Sequence, residues 1–188
     1  MKLIDMDVAT LISQSRKPDA NPGGGAILIL ISNLAINLCL MMDKEDFGNL
    51  SEKANVSRET LLGISNTYEK SMQEDVDNFN ALMDKIRNKE AKEIDYKNAA
   101  RPLISMVDGN LKSLEEISFF LENGKKSTLT DGQISNDLLY QAILSAFATI
   151  KINLDQTDLS YNFDEKTKLA KNLYQKNLDI IERRNKWQ

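Results

Sequence analysis

The chain has 188 residues, a net charge of −4 and an isoelectric point near 5.0, a length suited to one domain over 1–188 with a substantial core. It has no histidine and a single cysteine, Cys39, which excludes a Ser–His–Asp triad, a Cys–His pair, any histidine-ligated metal and an intramolecular disulfide. The acidic balance argues against a general nucleic-acid binder, and any proton transfer falls to Asp, Glu, Lys, Tyr or water.

Residues 5–15 pattern as a short amphipathic helix with acids at its start. Residues 16–25 are a loop set by Pro18, Pro22 and the run Gly23-Gly24-Gly25. Three glycines let backbone approach a neighbour closely, and the N–H groups of a following helix favour a polar or negative group beside them. The segment 26–42 carries only three polar residues, Ser32, Asn33 and Asn37. A membrane span needs roughly 20 mostly apolar residues, so this shorter run reads as a buried core helix. Asn33 and Asn37 share its face and need partners if buried; a satisfied network and a pocket wall are both open readings. Cys39 reads as a small buried hydrophobe in a reducing cytoplasm. Residues 1–5 lack the apolar run and cleavage site of a signal peptide, so a cytoplasmic location is expected.

A polar connection over 43–50 leads to a long helix over 51–87. Its stripe is Leu61, Ser65, Tyr68, Met72, Asp75, Phe79, Leu82 and Ile86, the alternating three- and four-residue spacing of a helix packed in a bundle. Asp75 is a carboxylate on an apolar line. It must be paired, hydrogen-bonded, protonated or facing a wet cavity, and perturbed carboxylates of this kind mark sites only in a minority of cases.

Residues 88–100 pattern as a loop with a short helix, and Pro102 opens a new helix at a position it tolerates. Leu103, Val107, Leu111, Leu114, Ile117 and Leu121 form its stripe, and Asn123-Gly124 stops it. After a linker over 125–130, Thr130 and Gln133 have capping-box spacing and Asp131 suits the positive end of the next helix, which runs to about Asn153. For Asp131 a plain cap is the simplest reading. The last helix, about 164–184, carries a basic face that reads as solvated surface. No alternating strand pattern occurs. The fold class is therefore all-α, a multihelical bundle of about six main helices.

Several of these pieces fall in a familiar order. Pro22-Gly23-Gly24-Gly25 leads an apolar helix ending near Met41; Glu74-Asp75 precedes Phe79 on a long helix; Ala99-Ala100 and Pro102-Leu103 follow; Asp131-Gly132 opens a helix that ends Lys151-Ile152-Asn153-Leu154. The order resembles the cyclodeaminase/cyclohydrolase family, comprising the C-terminal domain of formiminotransferase-cyclodeaminase and free-standing methenyltetrahydrofolate cyclohydrolase-like relatives. The resemblance covers nearly the whole chain.

It implies an intertwined, all-helical homodimer acting on a one-carbon tetrahydrofolate derivative, with no cofactor beyond that substrate, no metal, no nucleic acid and no membrane partner. The implied reaction is hydrolysis of 5,10-methenyltetrahydrofolate to 10-formyltetrahydrofolate. The alternative is deamination of 5-formiminotetrahydrofolate with ring closure. Hydrolysis is placed slightly ahead because the chain stands without a transferase domain. Asp75 and Asp131 are the implied catalytic carboxylates; Pro22, Gly23, Gly24, Gly25 and Asn153 are implied to bind substrate, and Arg16 and Lys17 to attract its glutamate tail. Three departures stand out: Ala26 where the family usually has Ser, the bulky Ile27-Leu28-Ile29-Leu30-Ile31 where it has small residues, and Thr149 where it has Asn. They keep open a catalytically weakened folate-binding paralogue, or a helical interaction protein in which Asp75 is only a buried polar contact.

Overall fold

The structure, a computed structural model, describes residues 2–18 and 21–185; Asp19 and Ala20, in the expected 16–25 loop, lie outside them. Six helices form among the described residues: α1 (Val8–Ser15), α2 (Gly24–Leu40), α3 (Ser51–Arg87), α4 (Glu93–Asn123), α5 (Leu129–Leu154) and α6 (Phe163–Asn185). Short 3-10 turns occupy Leu3–Asp5, Gly48–Leu50 and Lys126–Thr128, and no strand occurs among the described residues. The all-α expectation holds.

The helix α2 packs against α3, α4 and α5, while α6 closes the bundle against α4 and α5. Ile29, Ala35, Ile36 and Cys39 of α2 are fully buried, as an almost wholly apolar helix requires. No helix among the described residues is long and apolar enough to cross a membrane. The two asparagines resolve as a satisfied network. Asn37 Nδ2 donates to the Asn33 carbonyl (2.9 Å), and Ser65 of α3 donates to Asn33 Oδ1 (2.6 Å).

Two local expectations are corrected. Pro102 does not open a helix; it is buried inside the continuous helix α4. A proline removes the hydrogen bond to the carbonyl four residues earlier. Here that carbonyl, of Asn98, accepts instead from Asn78 Nδ2 on α3 (3.1 Å), so a neighbouring helix repairs the defect. Nor does the Thr130–Gln133 capping box form. The 3-10 turn over Lys126–Thr128 runs directly into α5, whose first residue is Leu129 and whose N-cap, Thr128, makes no capping bond.

The helices α2 and α5 run antiparallel. The C-terminal end of α2 meets the start of α5, where Gly132 is pressed against Met42 and Leu121. The N-terminal end of α2 meets the last turns of α5, where Gly23, Gly24 and Gly25 share a hollow with Thr149 and Asn153. The α3 seam is buried from Leu61 to Met72. It opens at Asp75, which is half-buried, and at Phe79, which is 37% exposed.

Candidate functional site

The opening of the α3 seam and the start of α2 enclose a cavity of about 180 Å³ lined by Gly23, Gly24, Gly25, Asp75, Phe79, Ala99, Thr149 and Asn153. Four helices contribute. The chain enters α2 through buried Pro22, with Gly23 as an N-cap that offers no side chain. The first backbone N–H groups of α2 therefore lack side-chain partners of their own, and Asp75 of α3 reaches that end. Its carboxylate accepts from the Ala26 N–H.

The approach depends on glycine. A Cβ added at Gly25 would lie 2.5 Å from Asp75 Oδ2 and 2.6 Å from Oδ1, whereas one added at Gly24 would meet nothing within 4 Å. Gly25 thus makes room for the carboxylate, and Gly24 does not.

The side chains lining the cavity bring no positive charge, and the N-terminal end of α2 is the one positive contribution to it. Burial pushes the Asp75 carboxyl up to about 6, and the hydrogen bond from the Ala26 N–H pulls in the other direction without overcoming it. The C-terminal end of α5, the negative end of its dipole, lies at the same cavity. Such a site favours a ligand that brings positive charge or N–H donors. Its carboxyl is also poised to move a proton near neutral pH. Among the described residues no group of three or more acidic, Cys or His side chains is arranged to hold a metal ion.

Two hollows adjoin the cavity. Gly23 and Gly24 also border a more open groove lined by Ser15, Lys17, Pro18, Pro22 and Ile27. Ala26 turns its side chain the other way, into an apolar groove with Leu3, Met6, Leu11, Leu30 and Met72. Position 26 therefore meets Asp75 through its backbone, and the hydroxyl of a serine there would start from the side away from the cavity.

A family model described as formiminotransferase-cyclodeaminase matches residues 7–171. The chain belongs to that family. Among solved structures, the formiminotetrahydrofolate cyclodeaminase of Thermotoga maritima superposes with a TM-score of 0.81 at 18% identity, covering 95% of this chain and 96% of that one; at that identity the match speaks for the fold. No curated protein matches the sequence.

In this member of the formiminotransferase-cyclodeaminase family, Gly23, Gly24, Gly25, Asp75 and Asn153 come together at one cavity. Pro22 borders only the two adjoining grooves. Lys17 lines the open groove and Arg16 is exposed nearby in sequence. Asp131 stands apart. It occupies the first turn of α5, eighteen residues before Thr149, which at the helical rise is about 27 Å from the cavity. Within one chain, the two aspartates do not face one cavity. The adjacent Gly132 has a packing reason of its own, since Met42 and Leu121 fill the space of a side chain. Three lining residues were absent from the sequence-derived site: Phe79, Ala99 and Thr149. Phe79 and Ala99 lie in the motifs quoted above, beside Asp75 and Pro102, and Thr149 is one of the three departures noted there.

Proposed function

We propose that this protein acts on a one-carbon derivative of tetrahydrofolate, with the carbon between N5 and N10 held against Asp75. The observation that carries this reading is a half-buried carboxylate with no cation among the residues around it, in a family named for folate chemistry. Both reactions considered involve a cationic one-carbon unit, the formimidinium or the methenyl bridge, which would supply the missing positive charge. A cavity of about 180 Å³ is smaller than the roughly 300–1,000 Å³ of drug-sized sites. It would therefore take the reacting end of the substrate, with the remainder passing over the glycine turn into the groove at Lys17.

Of the two reactions, deamination is favoured by the acceptor character of the lining. In it, N10 attacks the formimino carbon and Asp75 takes the N10 proton. The proton then passes to the amino group, the carbon–nitrogen bond breaks, and ammonia leaves behind the methenyl cation. The standing-alone argument for hydrolysis loses force, because the T. maritima chain of matching length is itself described as a cyclodeaminase. Hydrolysis is the second reading, and the position of the Asp75 carboxyl near 6 favours it. Asp75 would take a proton from water as it adds to the methenyl carbon and deliver one to N5 as that bond breaks; the other water proton is released. Asp131 has no part in either scheme and acts at the start of α5.

The homodimer belongs to the same proposal. Val8, Ile12 and Leu34 are 72%, 58% and 55% exposed, apolar surface that a second copy would cover. Gel filtration with light scattering checks it, and a monomer mass would contradict it. The reaction is tested by following ammonia release from 5-formiminotetrahydrofolate beside loss of 5,10-methenyltetrahydrofolate absorbance. Turnover of the first supports deamination, and of the second alone, hydrolysis. Saturable folate binding without turnover would mark a weakened paralogue. Neither turnover nor binding would overturn the folate reading.

A further inference from the structure

We propose that Asn153 selects a one-carbon unit bearing an N–H over one that bears none; this rests on the folate reading above. Asn153 lies on the last full turn of α5 and is 9% exposed. Its Nδ2 donates to the backbone carbonyl of Thr149, one turn earlier on the same helix (3.2 Å). That bond takes one of the two amide N–H groups and fixes the orientation of the side chain. Asn153 lines the cavity, and its Oδ1 has no hydrogen-bond partner among the described residues. Together with the Asp75 carboxylate it gives the cavity two acceptors contributed by two helices.

The terminal nitrogen of the protonated formimino group, the formimidinium, carries two N–H groups and can donate one to each. A methenyl bridge carries only C–H at the same carbon and leaves the Asn153 oxygen buried and unpaired. Sites that hold a buried acceptor discriminate strongly against ligands lacking the matching donor. Asn153 is thus a specificity residue: it contacts the unit that Asp75 works on, and its effect is read in the choice of substrate.

The test compares the wild-type protein with Asn153→Leu, which removes the acceptor. The measured quantity is the ratio of kcat/KM for 5-formiminotetrahydrofolate to that for 5,10-methenyltetrahydrofolate, with circular dichroism confirming that each variant is folded. The ratio is expected to fall about tenfold to a hundredfold in Asn153→Leu, the loss of one hydrogen bond to a buried group. Equal losses on both substrates, or an unchanged ratio, would overturn the proposal while leaving the folate reading intact. A wild-type protein that turns over only the methenyl form would also overturn it. No turnover of either substrate, together with no binding, would overturn both. If Asn153→Leu fails to fold, an unchanged ratio in Asn153→Ser, whose shorter side chain withdraws the oxygen, decides against it.

Discussion

Each end of α2 has an aspartate beside it, and the fold treats the two in opposite ways. At the C-terminal end, Asp43 accepts from both Arg58 Nε and Arg58 Nη2, the latter at 2.8 Å, and that pairing holds its carboxyl below the usual range. At the N-terminal end, Asp75 has a single backbone N–H and, among the described residues, no basic side chain, and burial drives its carboxyl upward to about 6. The location makes the contrast sharper. A helix C-terminus repels an anion and an N-terminus attracts one, so the carboxylate at the unfavourable end received a cation and the one at the favourable end did not. Asp43 is a finished structural contact. Asp75 is left with capacity to spare, and the proposed function assigns that capacity to the substrate.

The largest test of this contrast is Asp75→Asn. Loss of a general acid–base group costs about 10²- to 10⁴-fold in turnover, and activity measured on both folate substrates should fall by that order with the helical content unchanged. Next is the glycine pair. Gly25→Ala puts a Cβ against the Asp75 carboxylate, and displacing a catalytic group by about an ångström costs of order a hundredfold; Gly24→Ala, whose Cβ meets no protein atom within 4 Å, should leave Asp75 in place and cost less.

Stability against pH gives a third test, with a definite sign. The folded carboxyl of Asp75 lies near 6, above its ordinary 3.8, so between those values the native state binds more protons than the unfolded one. Stability from this group is therefore present below about pH 4 and lost as pH rises through 6, by up to about 3 kcal/mol. Asp75→Asn should be more stable than wild type at pH 7–8, with the difference shrinking toward pH 4, in urea titrations across that range. Arg58→Ala should do less. Its partly exposed pair with Asp43 warrants about 0.5–1 kcal/mol of stability and no change in turnover. Asp131→Asn should be smallest, about 0.5 kcal/mol through the α5 dipole, again with turnover unchanged.

Much of the fold could be read from periodicity, because each helix buries one stripe and the stripes recur at helical spacing. The oddity of Asp75 was readable for the same reason, as a charge where the seam wanted an apolar side chain. What escaped the sequence depended on contacts between distant segments. The continuity of α4 through Pro102 rests on Asn78 of α3 supplying a donor to the Asn98 carbonyl, which no local pattern encodes. The separation of Asp131 from Asp75 follows from the antiparallel pairing of α2 and α5, which places the two ends of α5 at opposite ends of α2. Asn153 was suggested only by resemblance; the bond from its amide to Thr149, which decides what the side chain can offer a ligand, is a geometric fact.

The most direct measurement is the titration of the Asp75 carboxyl, followed by carbon-detected NMR with Asp75→Asn to assign the signal, in the free protein and with 5,10-methenyltetrahydrofolate bound. An unpaired carboxylate that receives a cationic ligand should titrate near 6 when free and move downward on binding, since a neighbouring positive charge favours the ionised form. A free value near the ordinary 3.8, or a value near 6 that does not move when the folate binds, would contradict the account.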